Sequence, residues 1–149
     1  MKQPSQLWKT VFLTSMLAIT LCAGQQAWAQ AKAEKVFTAV VTDAQGVETE
    51  VKNTQFYWEE KVSETAFVPH EVKEVPVKRG AATVKVKFDT IKQIDVKPSP
   101  DGGLPTLSIT LTSGKTGEFA LAINGSFRGV SDFGDVELPA NGLKKIVFK

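Results

Sequence analysis

The chain of 149 residues has one cysteine, one histidine and one tyrosine. The cysteine, Cys22, lies in an N-terminal segment that we expect to be removed, so the remaining chain has no thiol. This inventory excludes a disulfide, a cysteine nucleophile and an ordinary zinc site, and any Ser-His-Asp triad would have to use His70. We therefore predict no catalytic residue, no metal site and no cofactor.

An excess of charge of either sign is also missing. The full chain has 18 basic and 16 acidic residues, and Lys2 and Lys9 of the expected leader account for the difference. Without the leader, basic and acidic residues are equal in number. Proteins that bind nucleic acids carry a positive excess, so we expect no nucleic-acid partner.

Long apolar runs are confined to the N-terminus, where residues 1–29 have the three parts of a secretory signal peptide. Lys2 and Lys9 supply the positive region, residues 11–23 form an uncharged and largely apolar stretch, and an A-x-A motif ends at Ala29. The apolar stretch is too short to cross a bilayer comfortably. We predict a signal-peptide helix that is cleaved near Ala29.

The expected mature protein is a single domain over residues 30–149, located in the bacterial periplasm or the medium, with no membrane span. Lipid attachment at Cys22 is the alternative, but lipoprotein processing needs a small residue before the cysteine. Leu21 stands there, and we therefore favour simple export.

The rest of the chain alternates apolar and polar residues in the manner of β-strands. In the clearest stretch Val84, Val86 and Phe88 share one side, and Lys85 and Lys87 share the other. A two-residue period fits a half-buried strand and no helix. A similar pattern ends the chain, with apolar residues at Val136, Leu138, Leu143, Ile146 and Phe148.

From these strands we predict an all-β fold, either a single β-sandwich or a closed β-barrel. It would be built from two related antiparallel halves, residues 36–97 and 106–149, joined by a Pro- and Gly-rich linker over 98–105. Neither half is large enough to enclose a core alone.

The two halves align if Val86 is matched with Val136 and Thr42 with Thr112. The first half then has roughly twenty additional residues before Val84. These fall in the irregular segment 59–79, which we interpret as a long excursion with some extended structure and one possible helical turn before Pro69. A change of apolar phase near Asn53 and Thr54 predicts a bulge or a break in the strand.

The candidate interaction surface centres on the aromatic run Phe56-Tyr57-Trp58, next to the irregular segment. We predict that the protein is a non-enzymatic binding or assembly module of the cell envelope, with an unidentified envelope protein or glycan as its partner. The residues assigned to the surface are Tyr57, Trp58, Phe67 and His70.

Two alternatives remain open. Tyr57 or Trp58 could stack on sugar rings, because aromatic faces suit that purpose, and the protein would then be a carbohydrate-binding module. A small hydrolase would instead draw its acid and base from Glu59, Glu64 and His70. A pocket that brings two of these three side chains together would favour the hydrolase.

Overall fold

The alternating pattern corresponds to a series of antiparallel strands. The computed structural model describes residues 35–149, and these contain eleven β-strands, two short 3₁₀ turns and no α-helix. The 3₁₀ turns are Phe88–Thr90 and Ala140–Gly142. The strands are β1 (Ala39–Asp43), β2 (Glu48–Lys61), β3 (Phe67–Val72), β4 (Glu74–Arg79), β5 (Ala82–Lys87), β6 (Ile91–Lys97), β7 (Thr106–Leu111), β8 (Thr116–Leu121), β9 (Ser126–Ser131), β10 (Gly134–Pro139) and β11 (Leu143–Phe148).

The all-β prediction is confirmed for the described residues. The strands form one antiparallel sheet in the order β10-β9-β2-β1-β11-β6-β7-β8-β4-β5, and β3 pairs with β2 beside this path. The outermost strands β10 and β5 do not pair with each other, so the described sheet is not closed. The predicted signal peptide, its cleavage site at Ala29 and Cys22 lie outside the described residues.

The two ends of the sheet follow the same plan: the strands are connected in the same way whether the order is followed from β10 or from β5. Matching β1 with β7, β2 with β8, β4 with β9, β5 with β10 and β6 with β11 makes the two directions equivalent. We call the strands β6, β7, β8, β4 and β5 the β5 wing, and the strands β11, β1, β2, β9 and β10 the β10 wing. The wings meet where Ile94 of β6 lies opposite Ile146 of β11. Among the described strands, β3 alone has no counterpart.

Hydrogen bonds and ion pairs follow the same correspondence. One exposed ion pair joins Lys97 to Glu118 in the β5 wing, and its counterpart joins Lys149 to Glu50 at 2.6 Å in the β10 wing. Three backbone hydrogen bonds of the β5 wing also have counterparts in the β10 wing. In the list that follows, the N–H donor comes first and the β5-wing bond precedes its counterpart: Gly114 to Leu111 and Gly46 to Asp43; Thr112 to Thr90 and Ala44 to Gly142; Phe88 to Lys73 and Ala140 to Gly125.

This correspondence corrects our alignments of Val86 with Val136 and of Thr42 with Thr112, since Thr112 matches Ala44. Each wing has a 3₁₀ turn at the same point, so that Phe88 matches Ala140 and Val86 matches Leu138. The sequence could not separate the two alignments because they differ by two positions. A shift of two residues leaves every side chain on its original face of a strand.

The core is one apolar cluster that draws side chains from both wings. Phe88 lies near its centre, with ring centroids 5.7 Å from Phe37, 4.9 Å from Phe148 and 6.4 Å from Phe127. Val84, which the alternation places on the core side, is 38% exposed because β5 is an edge strand.

The predicted bulge near Asn53 is confirmed. Asn53 has φ +53°, and the register between β2 and β9 shifts between Lys52 and Gln55. The Thr54 hydroxyl donates to the Val51 carbonyl at 2.9 Å, which satisfies this buried side chain within the bulge. Beyond it, β2 leaves β1 and continues between β9 and β3.

Segment 59–79 contains the extended structure that we expected, but it is far more regular than our interpretation and has no helical turn. β2 extends to Lys61, a short turn follows, and β3 and β4 occupy most of the remainder. Pro69 lies inside β3, where a missing N–H is tolerated because β3 pairs on one side only. The pattern was obscure because β3 is mostly exposed, whereas β4 buries Val75 and Val77 completely.

Within residues 35–149, no helix has the length and apolar character needed to cross a membrane.

Candidate functional site

The β2–β3 hairpin carries all four residues that we assigned to the interaction surface, but it divides them between two faces. Trp58 lies opposite His70, and Phe67 lies opposite Lys61. Cross-strand partners share a face, and neighbours along a strand point to opposite faces. Trp58 and His70 therefore lie on the core side of the hairpin, and Tyr57 and Phe67 lie on the other side.

On the core side, Trp58 and His70 form a stacked pair. Their ring centroids are 4.8 Å apart and the interplanar angle is 13°. Trp58 also contacts Phe56, at 5.9 Å between centroids, and this links the pair to the core. The outer end of His70 is held by Glu60, with 3.0 Å between Nε2 and Oε2.

On the opposite side, Tyr57 lies beneath the guanidinium of Arg128. The Cζ atom of Arg128 is 3.2 Å from the centroid of the Tyr57 ring, within the range of a cation–π contact. Arg128 also pairs with Glu137 at 3.0 Å and approaches Glu71 at 3.9 Å. The Tyr57 hydroxyl donates a hydrogen bond to Glu59.

These contacts shift two pKa values upward. The hydrogen bond to Glu59 raises the pKa of Tyr57 above 10.0, and burial and the negative charge of Glu59 act in the same direction. Burial by itself would lower the pKa of Arg128, but the hydrogen bond and charge of Glu137, together with Tyr57, outweigh it and raise the pKa. The cluster thus keeps a neutral phenol and a permanent cation together.

Shallow grooves lie on both sides of Arg128. One, of 550 Å³, is lined by Tyr57, Glu59 and Phe67 of the hairpin. The other, of 450 Å³, is lined by Gln55, Glu71 and the outer face of β9 and β10. Arg128 contributes to both, and its buried Nε has no hydrogen-bond partner among the described residues. The face combines one cation with several carboxylates, so it favours polar contacts.

The end of the hairpin is apolar and exposed. Val62 is 55% exposed, Phe67 is 54% exposed and Val68 is 41% exposed. We call these three residues the hairpin tip. The turn is closed by the N–H of Val62, which donates to the carbonyl of Ala66 at 3.0 Å. Phe67 and Val68 are consecutive in a strand, so the tip is apolar on both faces.

The three residues assigned to the hydrolase alternative are separated. Glu59 bonds Tyr57, Glu64 lies near Lys61 at 3.9 Å in the hairpin turn, and His70 bonds Glu60 on the other face. Of the three, Glu59 alone lines either groove beside Arg128. Residues 35–149 also contain no cluster of three or more His, Cys, Asp or Glu side chains that could hold a metal ion.

Sequence reasoning missed Arg128, Val62 and Val68. Arg128 lies in the stretch S-F-R-G-V, and nothing in that stretch indicates that β9 would be placed beside Tyr57. Val62 and Val68 could have been identified only if the hairpin had been recognised. The available signal was the length of β2. This strand continues past the aromatic run as far as Lys61, which leaves room for a second strand to pair with its end.

The fold and this hairpin define the class: an all-β domain in which the β2–β3 hairpin has an exposed apolar end. A family described as "Uncharacterised protein" matches residues 32–149, and the chain belongs to that family. No curated protein and no solved structure matches the chain.

Proposed function

We propose that the protein is an exported, non-enzymatic binding or assembly module of the bacterial cell envelope, and that it contacts a partner protein through the hairpin tip. The observation that carries the proposal is the exposure of Val62, Phe67 and Val68 together at the end of the one described strand pair without a counterpart. Clusters of exposed apolar side chains, such as the one at the end of this hairpin, are typical of protein-binding sites.

The hairpin can bind a partner without disturbing the core. β3 pairs only with β2, so its outer edge has backbone groups with no strand partner in the described chain. Such an edge can accept an added strand from a partner, with the tip supplying apolar contacts. Pro69 interrupts the edge and discourages uncontrolled association with other copies.

A protein partner is better supported than a glycan. Arg128 covers Tyr57, which is 9% exposed, and Trp58 is occupied by its stack with His70. One face of each ring is occupied in this way, which leaves less of either ring for a sugar. A glycan array with the wild-type protein separates the two partners, since a glycan-binding module would give saturable signals.

The test compares the proteins that are cross-linked from the hairpin tip with those that are cross-linked from another exposed site. A photoreactive residue is placed at Phe67, or at Phe133 as the matched control, which is fully exposed in the turn between β9 and β10. We expect a specific cross-linked envelope protein from position 67 only. The double variant Phe67→Ser, Val68→Thr should lose the same partner in co-purification. Identical products from both positions would contradict the proposal.

Removing the whole segment from Glu60 to Lys78 would not test the idea. That deletion also removes β4, whose Val75 and Val77 are fully buried in the core. Loss of binding would then reflect loss of folding. Substitutions at the tip avoid this because the changed side chains are exposed.

Export is part of the proposal and has a separate test. The full chain is expressed in a bacterium, the cell is fractionated, and the intact mass of the product is measured. We expect a periplasmic or secreted protein that begins at Gln30. A cytoplasmic protein that retains its first residues would contradict export.

We also propose that the two wings are related repeats and that the sheet folds over a common core as a sandwich. The matched hydrogen bonds and ion pairs support the first idea. The contact of Phe127 from β9 with Phe88 next to β5 supports the second, because these two elements are far apart in the strand order.

A further inference from the structure

The two outermost strands of the sheet, β5 and β10, each have one edge with no strand partner among residues 35–149. Every residue of β5 except Val86 is exposed, and in β10 only Val136 and Leu138 are half-buried. An apolar groove of 840 Å³ separates β5 from the β7–β8 hairpin. An unpaired edge presents backbone N–H and C=O groups to which a further strand can bind. Both ends of the sheet are therefore open to an added strand.

The free backbone groups of β5 include those of Lys85. This residue lies opposite Pro76 of β4, which has no N–H. The carbonyl of Pro76 accepts a hydrogen bond at 3.0 Å from the N–H of Ala122, on the side away from β5. Backbone groups that do not bond one neighbouring strand of an antiparallel ladder point to the other side. The N–H and C=O of Lys85 therefore point to the free edge.

The corresponding position at the other end of the sheet is acidic. Glu137 of β10 is the equivalent of Lys85, because Val86 matches Leu138, and its backbone groups point to the free edge in the same way. Asp135 lies two positions before Glu137 on the same face, as Lys87 lies two positions after Lys85. The two ends of the sheet therefore carry opposite charges next to their free backbone groups.

Antiparallel pairing of β5 with β10 of a second copy would match these charges in one register. With Lys85 opposite Glu137, the two residues can exchange two backbone hydrogen bonds, and Lys87 lies opposite Asp135. A shift of two residues in either direction keeps only one of the two charge pairs. The core-side residues match in the same register: Val84 with Leu138, and Val86 with Val136.

The neighbouring strands continue the alternation of charge. Within one copy, Arg128 lies 3.0 Å from Glu137, and Lys85 lies 3.7 Å from Glu74. When Glu137 and Lys85 of two copies are placed side by side, the row across the junction alternates from Arg128 to Glu74. No charge in this row has a neighbour of its own sign.

The same charges disfavour pairing between like ends. Two β5 strands that met at Lys85 would place lysine opposite lysine, and two β10 strands that met at Glu137 would place acid opposite acid. Like charges directly opposite each other are destabilising. The centre of the sheet already pairs equivalent strands in this manner, because Ile94 of β6 lies opposite its equivalent Ile146 of β11. Only unlike ends, β5 with β10, are complementary in charge.

We propose that copies of this chain associate end to end, with β5 of one copy added to β10 of the next. Each contact uses two different surfaces, so association continues beyond a pair unless the copies close into a ring. The inference is independent of the partner proposed for the hairpin tip, which lies on β2 and β3.

The first test is a charge exchange measured by sedimentation of the purified protein at low salt. We expect the mass of the wild type to rise with concentration. A variant with an acidic β5 (Lys85→Glu, Lys87→Glu) and one with a basic β10 (Asp135→Lys, Glu137→Lys) should each associate roughly tenfold or more weakly. An equimolar mixture of the two should associate as wild type, because the acidic β5 of one fits the basic β10 of the other.

The matched control for the charge exchange is Lys92→Glu, Lys144→Glu. It reverses two exposed charges on the central strands β6 and β11 and should associate as wild type. Circular dichroism of every variant confirms that the fold persists. Three results would overturn the proposal: a wild type that stays monomeric up to about 1 mM, equal weakening by the control, or a mixture that does not regain association.

A second test examines the register with cysteines at Thr83 and Pro139, which are exposed and lie opposite each other in the proposed pairing. The variants Thr83→Cys and Pro139→Cys are prepared in a Cys22→Ser background, mixed and mildly oxidised. We expect the mixed disulfide in excess over both homodimers, since a disulfide requires its two Cα atoms to be close. An excess of either homodimer would contradict the register. A monomer in which the double variant forms the disulfide within one chain would assign the pairing to a single copy and overturn the proposal.

Discussion

The two wings of the sheet share a backbone plan and differ in how their side chains fill it. The matched turns and ion pairs are the same in both. In the β10 wing, however, β9 pairs with β2 at four positions, whereas β4 pairs with β8 at two. The β10 wing extends its central strand, β2, into the β2–β3 hairpin. The β5 wing has no such extension and has an apolar groove between its two hairpins. One plan therefore provides two different surfaces.

Phe88 and Ala140 occupy equivalent buried positions but differ greatly in side-chain volume. Both are buried, but Phe88 fills the centre of the core and contacts three other aromatic rings. We expect Phe88→Ala to reduce the free energy of unfolding by about 3–5 kcal/mol, because it removes apolar contacts and leaves a cavity. Urea unfolding followed by tryptophan fluorescence measures the change.

The reciprocal variant Ala140→Phe tests whether the two sites are interchangeable. We expect it to destabilise by about 1–3 kcal/mol, because a full-size ring must displace packed neighbours. If the double variant Phe88→Ala, Ala140→Phe regained wild-type stability, the core would be symmetric in volume. That result would contradict the asymmetry between the two wings.

A second difference is the glycine in β9, which corresponds to Val77 in β4. A Cβ at Gly129 would lie 2.4 Å from Cγ1 of Val51 and 2.5 Å from the Lys52 carbonyl oxygen. Gly129→Ala should therefore cost about 1–3 kcal/mol through overpacking. Urea unfolding measures this change as well.

The control for this variant is Gly142→Ala, where an added Cβ meets nothing within 4 Å. We expect a change in the free energy of unfolding within about 0.5 kcal/mol. Equal losses of stability at the two glycines would mean that Gly129 is not needed for the close approach of β9 to β2.

These examples show which features could be read from the sequence. Strict alternation of apolar and polar residues identified the strands around Val86 and Leu107, and the side chains of Leu107 and Ile109 are buried as that alternation predicts. The bulge at Asn53 was visible as a change of phase. The β2–β3 hairpin was not, since β3 is largely exposed and carries Pro69, so its pattern gives no inward face.

Long-range placement is harder to predict for a physical reason. Tyr57 meets Arg128 only because β9 is added beside β2, and neither strand encodes its neighbour in its own periodicity. The same holds for the groove in the β5 wing, which is lined by Leu111 of the β7–β8 hairpin and Val86 of the β4–β5 hairpin. A two-residue period specifies faces of a strand, and strand order depends on the whole chain.

The pairing of β3 with β2 should contribute modestly to stability, because β3 pairs with β2 alone and the other wing folds without an equivalent strand. We expect His70→Ala to cost about 0.5–1.5 kcal/mol, because it removes the ring stacked on Trp58. Trp58 fluorescence and urea unfolding report the change. The control is Glu60→Gln, which weakens the bond to His70 but leaves the stack, and it should have a smaller effect. A loss as large as that of Phe88→Ala would show that the hairpin is part of the core.

The smallest expected effect concerns the pH dependence of the other face of the hairpin. The pKa of Tyr57 is raised in the folded state, mainly by its hydrogen bond to Glu59. The folded protein therefore holds the phenol proton more tightly than the unfolded chain does. The resulting stabilisation is complete below pH 10.0 and is lost as the pH rises through the folded-state pKa. Tyr57→Phe should be less stable than wild type at neutral pH, and the difference should shrink as the pH rises above 10.0. Urea midpoints of both proteins across that range measure it, and a constant difference would mean that Glu59 does not hold the proton of Tyr57.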